Sequence, residues 1–224
     1  MPIIELQDVS KLYGFGDATT LALDEINLSI DEGEFVAIMG PSGCGKSTLM
    51  NLIGLLDRPT HGVYNLQGRQ VERLSAGQRA KMRRDTIGFV FQFFNLLPRL
   101  TVLENVALPL AYKGMTTGKR VKAATNMLER VGLLGREFFY PRYLSGGQAQ
   151  CVAIARALVN NPRLIIADEP TSALDVITQR QVMQTIGNLQ ERMGSAVILI
   201  GHDMGLMAQD ARKSALLTIR KPPL

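Results

Sequence analysis

The chain has 224 residues, of which 46% are hydrophobic and 20% are charged, so it can bury the core of one ordinary domain. This composition excludes a disordered, collagen-like or disulfide-stapled protein, and two cysteines are too few for a disulfide framework. The net charge is +5, but residues 58–99 carry +6 between them, so the excess is local. No run of 18 apolar residues and no secretory signal is apparent, which predicts a reduced, cytosolic compartment.

Hydrophobic periodicity predicts strands first, helices in the middle, and an alternation of the two at the end. The expected early elements are strands at Ile3–Leu12, Leu21–Ile30 and Phe35–Met39 and a helix at Ser47–Asp57. The later ones are helices at Ser75–Asp85, Thr101–Tyr112, Thr117–Val131, Gly147–Val159 and Val176–Met193, and strands at Thr86–Phe91, Arg163–Ala167, Ala196–Ile200 and Ala215–Arg220. This order predicts an α/β fold, a mainly parallel sheet covered by helices, with an inserted helical stretch at about 101–159.

A glycine-rich loop follows the third predicted strand. Its sequence, Gly-Pro-Ser-Gly-Cys-Gly-Lys-Ser over residues 40–47, fits the phosphate-loop pattern G-x-x-x-x-G-K-[ST] between a strand and a helix. Glycines let backbone N–H groups surround phosphate oxygens, and the start of the following helix adds positive potential. Lys46 can reach the β- and γ-phosphates, and the Ser47 hydroxyl can bind Mg²⁺. The candidate nucleotide-binding residues here are Gly40, Pro41, Ser42, Gly43, Cys44, Gly45, Lys46, Ser47 and Thr48.

Two carboxylates end the strand predicted at Arg163–Ala167. Asp168 and Glu169 follow four apolar residues, as expected where a buried strand delivers acidic groups to the carboxyl edge of a sheet. Asp168 is the predicted Mg²⁺ ligand, and Glu169 is the predicted catalytic base for the attacking water.

A second phosphate-binding device precedes the helix predicted at Gly147–Val159. The segment Leu-Ser-Gly-Gly-Gln over residues 144–148 combines a hydroxyl, two glycines and a helix N-terminus. Since the helix at Ser47 already serves one γ-phosphate, this second site is expected to bind a nucleotide held by another chain. A two-fold dimer would complete two such sites at once.

On these motifs the chain, from Ile3 to about Asp210, resembles the nucleotide-binding subunit of ATP-binding-cassette transporters. The resemblance implies that Tyr13 stacks on adenine, that Gln92 binds Mg²⁺ and senses the membrane partner, and that His202 contacts the γ-phosphate as a catalytic residue. Asp175 would communicate across the dimer. The residues expected to close the opposite site are Ser145, Gly146, Gly147 and Gln148.

The resemblance also implies an architecture and partners. A P-loop NTPase core with an N-terminal antiparallel β-subdomain would occupy about residues 1–100 and 160–224, and a helical signature subdomain about 101–159. The cofactors would be ATP and Mg²⁺. The chain would dimerise head-to-tail, hydrolyse ATP and drive transmembrane permease subunits, lying peripherally on the cytoplasmic face of the cell membrane with contact through the permease.

Two halves of the chain resemble different relatives. Residues 1–171 are similar to the lipoprotein-release and macrolide-export subfamily, and residues 172–210 to oligopeptide-importer ATPases, so a recombinant junction near Asp168–Thr171 is one hypothesis. An exporter is the first reading and an importer the alternative. Ala149 and Cys151 replace the usual Gln and Arg after the signature, which keeps open a regulatory or decayed cassette that does not transport. No nucleic-acid partner is expected, because the basic window lacks interleaved aromatic residues.

Overall fold

The computed structural model describes residues 2–14 and 19–201, together with the backbone of one further strand at 214–218. His202, the predicted contact of the γ-phosphate, lies outside the described residues. No helix in the described part of the chain is long and apolar enough to cross a membrane.

The first sheet is antiparallel and has the strand order β2-β1-β4-β5. Its strands are β1 (Pro2–Tyr13), β2 (Thr20–Asp31), β4 (His61–Leu66) and β5 (Arg69–Gln70). The first two were predicted, but β4 and β5 were missed, although buried Tyr64 and Leu66 alternate with half-buried Val63 and Asn65. The predicted N-terminal antiparallel unit therefore also takes strands from beyond the phosphate loop.

The second sheet is parallel, with the order β6-β7-β8-β3-β9. Its strands are β3 (Phe35–Met39), β6 (Ile87–Val90), β7 (Leu164–Asp168), β8 (Ala196–Gly201) and β9 (Ser214–Thr218). The three central strands are almost wholly apolar because both faces of the sheet are covered. The α/β fold with a P-loop core is thus confirmed.

Six helices complete the described part of the fold: α1 (Lys46–Ile53), α2 (Ala76–Thr86), α3 (Val102–Tyr112), α4 (Thr117–Arg130), α5 (Gly146–Leu158) and α6 (Val176–Met193). Two clusters of buried hydrophobic side chains pack these helices against the parallel sheet. Helices α3 to α6 pack on one side of the parallel sheet, and α1 and the antiparallel sheet pack on the other. This arrangement leaves the carboxyl ends of the parallel strands at one edge.

Helix α1 ends earlier than predicted. The pattern indicated a helix to Asp57, but it stops at Ile53 with Gly54 as its C-cap. A Cβ atom at Gly54 would lie 2.5 Å from the Phe89 ring, and Leu55 adopts a left-handed φ of 57°. Gly54 therefore fits where a residue with a side chain would meet Phe89 of β6, and the left-handed Leu55 takes the chain out of the helix.

Candidate functional site

The phosphate loop leaves β3 and enters α1 with two glycines in the left-handed region. Gly43 has φ 78° and Gly45 has φ 101°. A Cβ atom at Gly45 would lie 2.5 Å from the carbonyl oxygen of Ala22, whereas one at Gly43 would meet nothing within 4 Å. Gly45 is therefore required both by its backbone conformation and by the closeness of β2.

Lys46 points into the loop. Its Nζ donates to the carbonyl oxygens of Gly40 at 2.6 Å and Pro41 at 2.9 Å. The Cys44 side chain is only 1% exposed and packs with the core beside α1, with its Sγ 3.9 Å from Lys46 Nζ. Cys44 can therefore offer the phosphates its backbone only, while the exposed Ser47 presents its hydroxyl at the first turn of α1.

Asp168 and Glu169 lie at the carboxyl edge of the parallel sheet, close to Lys46. Burial, and next the Glu169 carboxylate, raise the pKa of Asp168, while the Lys46 ammonium opposes that rise. Glu169 has a left-handed φ of 43°, and its N–H donates to Ile200 O at 2.8 Å. Left-handed backbone at a non-glycine residue is strained and persists only where its surroundings hold it, and the hydrogen bond to β8 is one such contact.

Gln92 follows β6, the strand paired with β7, and is half-buried. The segment after it bends sharply, with φ of 59° at Phe94 and 50° at Asn95. Arg156 on α5 holds this bend, donating from Nη2 to Phe94 O at 2.9 Å and from Nη1 to Asn95 O at 2.6 Å. The structure therefore brings Gln92 to the same sheet edge as Asp168, with a loop whose shape depends on α5.

The signature residues form the N-terminus of α5. Ser145 is exposed and caps the helix in a reciprocal box with Gln148, with donor–acceptor distances of 3.3 and 3.1 Å. Gly147 allows close packing, because a Cβ atom there would lie 2.4 Å from a Thr178 methyl group. None of the described hydrogen bonds joins these residues to the loop at residues 40–47, so the two segments predicted to bind phosphate are not bonded to each other within one chain.

Asp175 is exposed and caps α6, accepting hydrogen bonds from the backbone N–H and the hydroxyl of Thr178 at 3.0 and 2.7 Å. These two bonds hold the pKa of Asp175 below its ordinary value. Because Thr178 also touches the signature at Gly147, Asp175 and Ser145 belong to one exposed surface.

Tyr13, at the end of β1, is held by contacts with Asp57 and Lys11. Its hydroxyl donates to Asp57 Oδ2 at 2.9 Å, and Lys11 Nζ lies 4.8 Å from the ring centroid and 2.8 Å from Asp57 Oδ1. Burial, followed by the hydrogen bond to Asp57, raises the pKa of Tyr13. Tyr13 as a whole remains 42% exposed, so its ring is accessible to a planar group.

Replacing Tyr13 tests that role. We expect Tyr13→Leu to weaken ATP binding about tenfold, because stacking of a base on an aromatic ring contributes roughly 1–3 kcal/mol. Tyr13→Phe keeps the ring and loses only the bond to Asp57, so the loss should be smaller. Titration with a fluorescent ATP analogue measures both, and equal losses in the two variants would contradict stacking.

Sequence reasoning missed three residues that shape the site: Asn105, Gln150 and Arg156. Asn105 and Gln150 are fully buried on the apolar faces of α3 and α5. Asn105 accepts from Leu97 N at 2.8 Å and donates to three carbonyl groups of the segment between Gln92 and α3. A polar side chain on an apolar helix face was the available signal, since buried polar groups need partners.

The comparisons with known proteins agree with this geometry. A family model described as ABC transporter matches residues 23–172. The chain belongs to the ABC transporter family. It carries the family's ATP-binding domain and is an ATPase.

Its similarity to individual proteins is high. It is 50% identical to an uncharacterized ABC transporter ATP-binding protein of Methanocaldococcus jannaschii over 91% of each chain. It is 47% identical to the macrolide export ATP-binding/permease protein MacB of Hyphomonas neptunium, over 94% of this chain and 33% of that one. The chain thus spans about a third of the MacB protein. Each match extends across Asp168–Thr171, so no end of similarity marks a junction there.

A solved structure gives the same result for the fold. The dimeric cassette MJ0796, in a post-hydrolysis state bound to ADP and Pi, is 45% identical over 96% of both chains, with a TM-score of 0.85. A second dimeric structure of MJ0796, described as a bacterial ABC transporter cassette, has the same TM-score at 46% identity.

Proposed function

We propose that this ATPase works as a head-to-tail dimer that drives a separate, export-type transmembrane permease from the cytoplasmic face of the membrane. Within one subunit, Lys46 and the backbone of residues 40–48 would bind the phosphates, and Tyr13 the adenine. Glu169 would accept a proton from the attacking water. Its backbone is held by Ile200 and Ser172, which suits a base that must keep one position.

Mg²⁺ fits the oxygen-rich edge of the sheet. Ser47, Gln92 and Asp168 offer a hydroxyl, an amide oxygen and a carboxylate, the hard ligands that this ion prefers. When bound, Mg²⁺ neutralises charge on the transferring phosphoryl group.

Dimerisation is supported by the separation of the two phosphate-binding devices. Ser145 and the α5 N-terminus are exposed and are hydrogen-bonded only among themselves in the described structure. A nucleotide bound at the phosphate loop of a second subunit would complete this site. The related cassette MJ0796 is dimeric in both solved structures.

The observation that carries the permease assignment is a groove beside the Gln92 loop. It has a volume of about 1130 Å³ and lies between α2, the loop after β6, α3 and α5. Leu97 and Tyr112 expose 44% and 67% of their surfaces there, and Lys81, Arg83 and Arg84 line one side. A short permease helix with apolar and acidic side chains matches this lining. Because Arg156 holds Gln92's loop and also lines the groove, a helix seated there would reach the catalytic site.

A reconstitution experiment tests this proposal. Basal ATP hydrolysis should be stimulated by the correct permease in lipid vesicles, and Lys81→Glu/Arg84→Glu should abolish the stimulation while basal turnover persists. Lys119→Glu/Lys122→Glu on α4 is the matched control, since both lysines are exposed and lie outside the groove. Stimulation that survives the groove variant would contradict docking there.

The same variants separate a protein partner from a lipid surface. Binding of the parent ATPase to permease-free anionic vesicles that is lost in high salt, and in the groove variant, would assign the basic face to phospholipid instead. The export direction rests on the similarity to MacB, so stimulation by an importer permease and not by an exporter would overturn it.

A further inference from the structure

A single buried amide links the signature helix to both catalytic loops. Gln150 lies on α5 and has no exposed surface. Its Nε2 donates to Pro170 O at 2.6 Å and to Phe91 O at 3.3 Å. Pro170 directly follows Glu169, and Phe91 directly precedes Gln92. The helix that begins with the signature is therefore bonded to the main chain beside each of these residues.

Stability is a weak explanation for this amide. The Oε1 atom of Gln150 is buried, and no donor in the described part of the chain reaches it. A buried oxygen without a partner lowers stability, whereas an apolar side chain of similar size would carry no such cost. The neighbouring residues on α5, Val152, Ala153 and Ile154, are apolar and fully buried. The distinctive contribution of Gln150 is thus the two bonds that it donates.

We propose that Gln150 is a positioning residue for ATP hydrolysis, which sets Glu169 and Gln92 relative to each other and to the signature helix. The proposal rests on the roles proposed above for those two residues. Glu169 has strained backbone, and strained backbone keeps its geometry only where its surroundings hold it. Gln150 supplies part of that support from the helix whose N-terminus faces the second subunit, so displacement of α5 on dimer closure moves both loops together.

The decisive variant is Gln150→Met, which keeps the length of the side chain and removes both donated bonds. We expect the kcat for ATP to fall by about tenfold to 100-fold, because a displacement of about 1 Å at a catalytic group costs about that much. The dissociation constant of a fluorescent ATP analogue should stay within about twofold. Initial rates of phosphate release at saturating ATP give kcat, and equilibrium titration of the full chain gives the dissociation constant.

The chain contains a matched control. Gln190 on α6 also donates from Nε2 to two carbonyl oxygens, those of Gly33 at 2.9 Å and Ser195 at 3.0 Å. Both acceptors lie at the opposite edge of the parallel sheet, where β3 and β8 begin. Gln190 is half-buried, whereas Gln150 is fully buried, and Gln190→Met should leave kcat within about twofold. The melting temperatures of both variants are measured alongside. Equal losses of kcat in the two variants would overturn the proposal, since hydrolysis would then follow general stability.

Two further outcomes are informative. Gln150→Ala introduces no new group, and it replaces Gln150→Met if that variant does not fold. If neither folds under conditions where Gln190→Met does, Gln150 serves the fold and the proposal is wrong.

When Gln150→Met is combined with Gln92→Ala, kcat should fall by less than the product of the two separate losses, because both changes act on one loop. If Glu169→Gln still hydrolyses ATP, Glu169 is not the base. The comparison of kcat between Gln150→Met and Gln190→Met can still be made in that case.

Discussion

Glu169→Gln is expected to reduce ATP hydrolysis by about 10²- to 10⁴-fold, the usual loss when a general base is removed. The change keeps the shape of the side chain and removes its ability to accept the proton of the attacking water. Binding of ATP should persist, because the substitution does not change Lys46 or the loop whose carbonyl groups it contacts. Phosphate release under saturating ATP, together with titration of a fluorescent analogue, checks both statements.

The trapped state gives a second readout. With its nucleotide unhydrolysed, Glu169→Gln should form a stable dimer on adding ATP and Mg²⁺, measured as a doubling of mass by light scattering. The exposed Glu191 on α6 provides the control, and Glu191→Gln should hydrolyse ATP at the parent rate. Normal turnover by Glu169→Gln would show that another group accepts the proton.

Gly45→Ala is expected to lower the free energy of unfolding by about 3 kcal/mol and the melting temperature by roughly 6–12 °C. The new Cβ would require φ 101° of a residue with a side chain and would meet Ala22 O at 2.5 Å. Since that atom belongs to the backbone of β2, the contact can be relieved only by moving the backbone of the loop or of the strand. ATP binding should be lost along with the shape of the loop.

Gly43→Ala is the comparison for this prediction. Gly43 also has a left-handed φ, 78°, but its Cβ would meet nothing within 4 Å. We expect a loss of about 1 kcal/mol from backbone strain and a fall of roughly 2–4 °C in the melting temperature. Thermal unfolding without nucleotide separates the two effects, and equal shifts would show that the contact with Ala22 O has no energetic consequence.

Local signals predicted some elements well. Helix α6 begins and ends where expected, at Val176 and Met193, because Asp175 caps its start and Gly194 ends it with a left-handed φ of 65°. Strand β4 was missed because its pairing with β1 is distant in sequence, and β5, which pairs only with β4 across a short turn, was missed with it. Ile4 pairs with Leu66, and such a short strand is stable only when β1 is already beside it. The predicted end of α1 at Asp57 was also wrong, and the contact that excludes a side chain at the cap, between Gly54 and Phe89, is distant in sequence.

The sequence by itself determined the phosphate loop, the pair Asp168 and Glu169, and the signature, because each is a run of neighbouring residues whose spacing is its chemistry. The tertiary structure decided what holds them in place. Gln150 donates to Phe91 O across 59 residues, and Arg156 to Asn95 O across 61. Every residue has the same carbonyl oxygen, so no sequence pattern marks which one a buried donor will reach. Only the packing of α5 against the sheet edge selects those partners.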